Sequence, residues 1–148
     1  ADGGDIENSM VEYAVNGRVI LAGQPQPEDW TTLAERGFGL VINVRSDPQR
    51  AAEQAKSAAA AGLGYLHLQV PAYELEPEHL AKFRRAIEDA PDEKILIHCR
   101  TASRTALLWM LSRMVYDGWS QETAVSELYD AGYTDNDMAV FLYCRRLL

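Results

Sequence analysis

The stretch His98-Cys99-Arg100-Thr101-Ala102-Ser103-Arg104-Thr105 constrains the fold of this chain more than any other. Before it, Ile95-Leu96-Ile97-His98 is mostly apolar, the pattern of a strand buried on both faces of a parallel sheet. After it, Ala106-Leu107-Leu108-Trp109-Met110-Leu111 is apolar on every side, the pattern of a buried helix. A cysteine and an arginine are thereby predicted on a tight strand-to-helix loop at the carboxyl end of a strand, where open α/β sheets bind ligands. The first helical turn offers amides without helical partners and the positive end of the helix dipole, so the loop is a candidate anion site.

The same surroundings act on Cys99. A thiol at a helix N-terminus beside arginines favours the thiolate, the nucleophilic form. Arg104 presents two parallel donors to an oxyanion, which lysine does less well. The Thr105 hydroxyl is placed to donate to the sulfur and stabilise it as a leaving group. The plainer alternative is a structural cysteine ahead of an ordinary helix start. His98, Cys99, two arginines and a threonine falling together favour the anion site.

Upstream, β and α patterns alternate. Arg18–Ala22 is the first predicted strand, and Gly23-Gln24-Pro25-Gln26-Pro27 is a turn with Pro27 placed to open a helix. That helix carries Trp30, Leu33 and Ala34 on one face and stops at Gly37. Gly39–Arg45 is the second strand; Asp47 caps and Pro48 opens a helix that runs to Ala61. Gly64–Leu68 is the third strand, and a loop from Gln69 to Glu76 leads to a helix opened by Pro77, with Leu80, Phe83 and Ile87 on one face. Beyond Gly118 only helices are predicted, one with Val125, Leu128 and Tyr129 on a face and a last one from about Asp137 to Leu147. The expected fold is α/β, a mostly parallel central sheet flanked by helices, with an all-helical C-terminal third. No linker or repeat divides residues 1–148, so one domain is expected, with about 1–10 a loose arm.

Composition narrows the function. A net charge of −8 argues against a nucleic-acid partner. No apolar run approaches the ~20 residues of a membrane helix. Two cysteines make no disulfide framework, and no clustered histidines or carboxylates suggest a metal, so neither metal nor cofactor is expected. The non-methionine start at Ala1 fits a cleaved secretory signal and a periplasmic protein; otherwise the expectation is cytoplasmic. Oligomeric state is not legible.

The run His98-Cys99 to Arg104-Thr105 resembles the phosphate-binding loop of the cysteine-dependent tyrosine and dual-specificity phosphatases, H-C-x5-R-S/T. It is one residue short, and Ala102 stands for the usual glycine. A C-x4-R loop is typical of rhodanese sulfurtransferases, often C-R-x-G-x-R. It is also typical of a bacterial phosphatase-like family found alone or fused to β-lactamase-like hydrolases. Gly23-Gln24-Pro25 with Val41-Ile42-Asn43-Val44-Arg45, and the helical C-terminal end, resemble the phosphatase group. On these residues, from about Gly17 onward, the chain is identified as a member of the short-loop phosphatase-like family.

The resemblance implies phosphate-monoester hydrolysis through a phosphocysteine on Cys99. Arg100, Thr101, Ala102, Ser103 and Arg104 would bind the phosphate, with Thr105 at the sulfur. The general acid, an aspartate in the larger group, would fall in Val70–Glu76, which has no aspartate; Glu74 is the candidate, with Glu76 behind it. His98 would fix the loop through the backbone, Tyr73 would line a pocket wall, and Arg45 either reaches the anion site or makes a structural ion pair. His67 reads as a packed histidine, and Cys144 as a buried thiol or a resolving partner of Cys99. The implied partner is a phosphorylated substrate or small oxyanion. Two other readings stay open: a rhodanese-like, persulfide-handling protein and a non-catalytic phosphate-binding module.

Overall fold

The computed structural model describes residues 10–70 and 75–137. The N-terminal arm, Tyr73, Glu74, the last predicted helix and Cys144 lie outside them. The elements are β1 (Glu12–Ala14), β2 (Val19–Ala22), α1 (Asp29–Glu35), β3 (Phe38–Asn43), α2 (Pro48–Ala60), β4 (Gly64–His67), α3 (Pro77–Glu88), β5 (Lys94–His98), α4 (Ser103–Tyr116) and α5 (Gln121–Ala131).

Five strands form one sheet in the order β1-β2-β5-β3-β4. All neighbours are parallel except β1, which runs antiparallel on β2. The strand β1 was not anticipated: Glu12-Tyr13-Ala14 is too short and too exposed to give a periodic signal. β5, the strand leading to Cys99, is central, with Ile95, Leu96 and Ile97 fully buried.

Side chains of one strand alternate between faces, and the core divides accordingly. Leu21, Ile42, Ile95 and Ile97 face α3, α4 and α5 with Leu80, Phe83, Leu108 and Leu128. Ile20, Val41 and Leu96 face α1 and α2 with Trp30, Leu33 and Ala58. The helix α4 is buried from Thr105 through Ser112, which is why its sequence shows no polar stripe.

The starts and stops follow local chemistry. Asp47 accepts from the amides of Gln49 and Arg50 at 3.0 and 3.2 Å, and Pro48 opens α2. Gly132 ends α5 at φ 118°, a conformation that favours glycine. One expectation is corrected. Tyr129 is 43% exposed, because the buried stripe of α5 is Ala124 and Leu128, one helical turn apart. Trp119 is only partly buried, and the Arg113 guanidinium stacks on it at 4.2 Å.

Candidate active site

Three strand ends meet at the site. His98, the last residue of β5, is in register with Ala22 of β2 on one side and Asn43 of β3 on the other. The chain segments leaving β3 and β5 enclose a cavity of about 350 Å³. Arg45, Ser46 and Asp47 form one wall; Cys99, Arg100, Thr101, Ser103 and Arg104 form the other. The structure thus brings Cys99, Arg100, Thr101, Ser103, Arg104 and Arg45 together. Cys99 is 4% exposed.

Neighbouring segments hold the loop backbone. The Cys99 amide donates to Ala22 at 3.3 Å, the Gln24 amide to Arg100 at 3.2 Å, and the Val44 amide to His98 at 2.9 Å. Ala102 precedes α4 in the left-handed region, φ 70° and ψ 3°, the only non-glycine residue there among the described residues. It turns the chain so that the first amides of α4, which lack helical partners, follow directly on the cysteine loop. The Ala102 carbonyl accepts from the Thr105 hydroxyl at 2.8 Å, the Tyr133 hydroxyl at 2.8 Å and the Ala106 amide at 3.3 Å. This corrects the expectation for Thr105. Its single hydroxyl proton goes to that carbonyl, one helical turn back, and not to the sulfur.

His98 is fully buried. Its Nδ1 lies 3.4 Å from the Cys99 carbonyl, and its Nε2 has no partner among the described residues. Burial, above all, pushes its pKa down to about 3, so the ring is neutral near pH 7.

Arg45 lies just beyond β3, not in it. Its amide donates to Asn43 Oδ1 at 2.8 Å, and its Nη1 donates to Gln24 Oε1 at 2.7 Å. His67 Nε2 donates to its carbonyl at 2.6 Å, so His67 is a hydrogen-bonding residue and not merely a packed one. No carboxylate forms an ion pair with Arg45 among the described residues. Its pKa is lowered, first by burial and then by Arg50 and Arg100, against the opposing charges of Cys99 and Asp47. Glu76 is the N-cap residue of α3, with its amide donating to His79 Nδ1 at 2.9 Å.

Sequence reasoning missed three residues. Gln24, 5% exposed, holds Arg45; the turn motif around it was visible, but its contact was not. Asp47 was read as a helix cap alone, yet it also lines the cavity. Tyr133 follows Gly132 far along the chain, and nothing local marks it. Among the described residues, no group of three or more His, Cys, Asp or Glu is placed to hold a metal, and no helix is long and apolar enough to cross a membrane.

A cysteine at the end of a central parallel strand and an arginine on the next helical turn, with helices closing the C-terminal part, define a fold of the tyrosine-phosphatase type. Solved structures of that type superpose on it. TpbA of P. aeruginosa in complex with phosphotyrosine has a TM-score of 0.71 at 18% identity, covering 99% of this chain and 86% of that one. Tk-PTP in its active form has a TM-score of 0.67 at 21% identity, covering 93% and 97%. The family model of the β-lactamase hydrolase-like protein, phosphatase-like domain, matches residues 13–116, and the chain belongs to that family. The β-lactamase hydrolase-like proteins of Xylella fastidiosa and Agrobacterium fabrum are 31% and 30% identical over 131 and 130 residues. The alignments cover 85% and 84% of this chain but only 30% and 29% of those proteins, so the chain spans under a third of its curated relatives.

Proposed function

We propose that the protein is a cysteine-dependent phosphatase that hydrolyses phosphate monoesters without a metal. The observation that carries this reading is that Cys99 and Arg104, at the start of α4, line one cavity together. The Cys99 thiolate attacks phosphorus; an S–P bond forms as the P–O bond to the leaving group breaks. Arg104 and the loop amides hold the equatorial oxygens, where charge spreads in the transition state. A carboxylic acid protonates the leaving oxygen, and Glu74 is the proposed donor, since Glu76 sits at the N-cap of α3. Water then attacks the phosphocysteine, the S–P bond breaks, and phosphate leaves with the thiolate restored. His98, neutral and buried, orders the loop and moves no proton.

One purified sample assayed with an aryl phosphate, and with thiosulfate plus cyanide, tests this beside Cys99→Ser. Phosphate release that Cys99→Ser abolishes, without thiocyanate formation, is the expected result. Thiocyanate without phosphate would assign a sulfurtransferase. Phosphate binding with neither product would assign a binding module.

A further inference from the structure

A chain with 22 acidic and 14 basic residues places three arginines, Arg45, Arg100 and Arg104, around one cavity. Arg104 and the helix amides suffice for one phosphate. Arg45 comes from the opposite wall, and the fold fixes it at three points: amide, carbonyl and Nη1. Its anchors are themselves anchored. Asn43 is 1% exposed and donates to the Tyr65 hydroxyl at 2.9 Å, and Gln24 Nε2 donates to the Pro25 carbonyl at 3.2 Å.

The side chains of Asn43 and Gln24 carry no charge. The carboxylate that shares the wall, Asp47, accepts from two amides of α2 instead. Burial and two neighbouring arginines oppose the Arg45 charge. A guanidinium held in place by an amide, with like charges beside it, is a preorganised receptor for an anion that arrives from outside. Beyond Gln24 a second cavity of about 370 Å³, whose charged lining residues are Arg50 and Glu53, offers room next to it.

We propose that Arg45 forms a second anion subsite beside the one at Arg104, and that the substrate is a phosphomonoester with a second phosphate adjacent to the scissile one. The proposal rests on the phosphatase reading for which phosphate is cleaved, but not for the binding itself.

Calorimetric titration with orthophosphate and with pyrophosphate tests it on wild type, Arg45→Gln, Arg45→Lys and Arg104→Lys, each first checked for a native melting transition. Wild type is expected to bind pyrophosphate at least about 10-fold tighter than orthophosphate, the scale of one charge-assisted hydrogen-bonded contact. Arg45→Gln should bring that ratio towards one, Arg45→Lys should restore part of it, and Arg104→Lys should weaken both anions together. Equal loss of both anions in Arg45→Gln would overturn the proposal, because Arg45 would then serve the first phosphate or the thiolate. So would a wild type without preference. A preserved preference in a protein that hydrolyses no phosphate ester would defeat the phosphatase reading and leave the second subsite standing.

Discussion

Tyr133→Phe isolates the contact that ties the segment after α5 to the cysteine loop. The ring is 4% exposed and stacks on Tyr13 of β1, centroids 3.9 Å apart and planes 19° apart. Its hydroxyl donates to the Ala102 carbonyl at 2.8 Å in a buried setting. The substitution keeps the ring and the stack and removes the hydroxyl, whose hydrogen bond to the Ala102 carbonyl is worth about 1 kcal/mol net. The carbonyl is not orphaned, because Thr105 and Ala106 still donate to it. At this chain length the melting temperature should fall by roughly 2–4 °C. Thr105→Val removes the other short donor and, taken alone, should cost a similar amount. Together the two changes leave only the 3.3 Å amide, so the double mutant should lose about 1 kcal/mol more than the sum. Urea titrations followed by circular dichroism give all four stabilities. Additivity within about 0.5 kcal/mol would refute the shared-carbonyl account. The kcat for an aryl phosphate should fall in the double mutant before the protein melts, since the turn at Ala102 sets the direction of the loop amides.

Ala102→Gly should change stability by under about 1 kcal/mol in chemical denaturation. Relief of the left-handed strain, about 1–2 kcal/mol, is offset by about 0.8 for the lost methyl and 0.4–1 for the freer unfolded chain. Ala102→Val, β-branched at the same positive φ, should destabilise strongly. Glu74→Gln should slow phosphotyrosine hydrolysis by roughly 10²–10⁴-fold and an activated aryl phosphate little, read as a steeper dependence of kcat/KM on leaving-group pKa. His98 makes the fold acid-sensitive: its pKa is about 3 folded and 6.5 unfolded, so below about pH 6.5 only the unfolded chain takes up the proton. Its contribution is therefore complete above that pH and is lost as pH falls towards 3; stability measured from pH 7 to pH 4 should decline less in His98→Gln.

What was legible in the sequence followed from period and punctuation. Ile95–Ile97, Val41-Ile42 and Val19–Leu21 announced a parallel sheet because both faces of each strand are buried. Pro48, Pro77, Gly37 and Gly132 marked helix ends by the backbone angles they fix or permit. The grouping of Cys99 and Arg104 at one cavity was legible because the residues are contiguous in the chain. Contacts between distant segments were not. Arg45 is held by Gln24 and His67, each more than twenty positions away, and Tyr133 meets Ala102 across 31. Thr105 was misread for a related reason: its preferred acceptor is a carbonyl exposed by the left-handed turn of an alanine, where residue type gave no warning of positive φ.

Such a turn persists only when its surroundings over-determine it. Here three segments do so. The end of β2 fixes Cys99 and Arg100 through Ala22 and Gln24, the end of β3 fixes His98 through Val44, and the residue after α5 fixes Ala102 through Tyr133. None of these contacts uses a side chain of the loop itself, so the side chains of Arg100, Thr101, Ser103 and Arg104 remain at the cavity wall. Rigidity is thus imported from the sheet and from the segment after α5, while on the cavity wall the Thr101 hydroxyl donates to that of Ser103 at 3.3 Å. A site that binds a spreading negative charge gains most from this arrangement, because donors already in place need not reorganise when the charge develops.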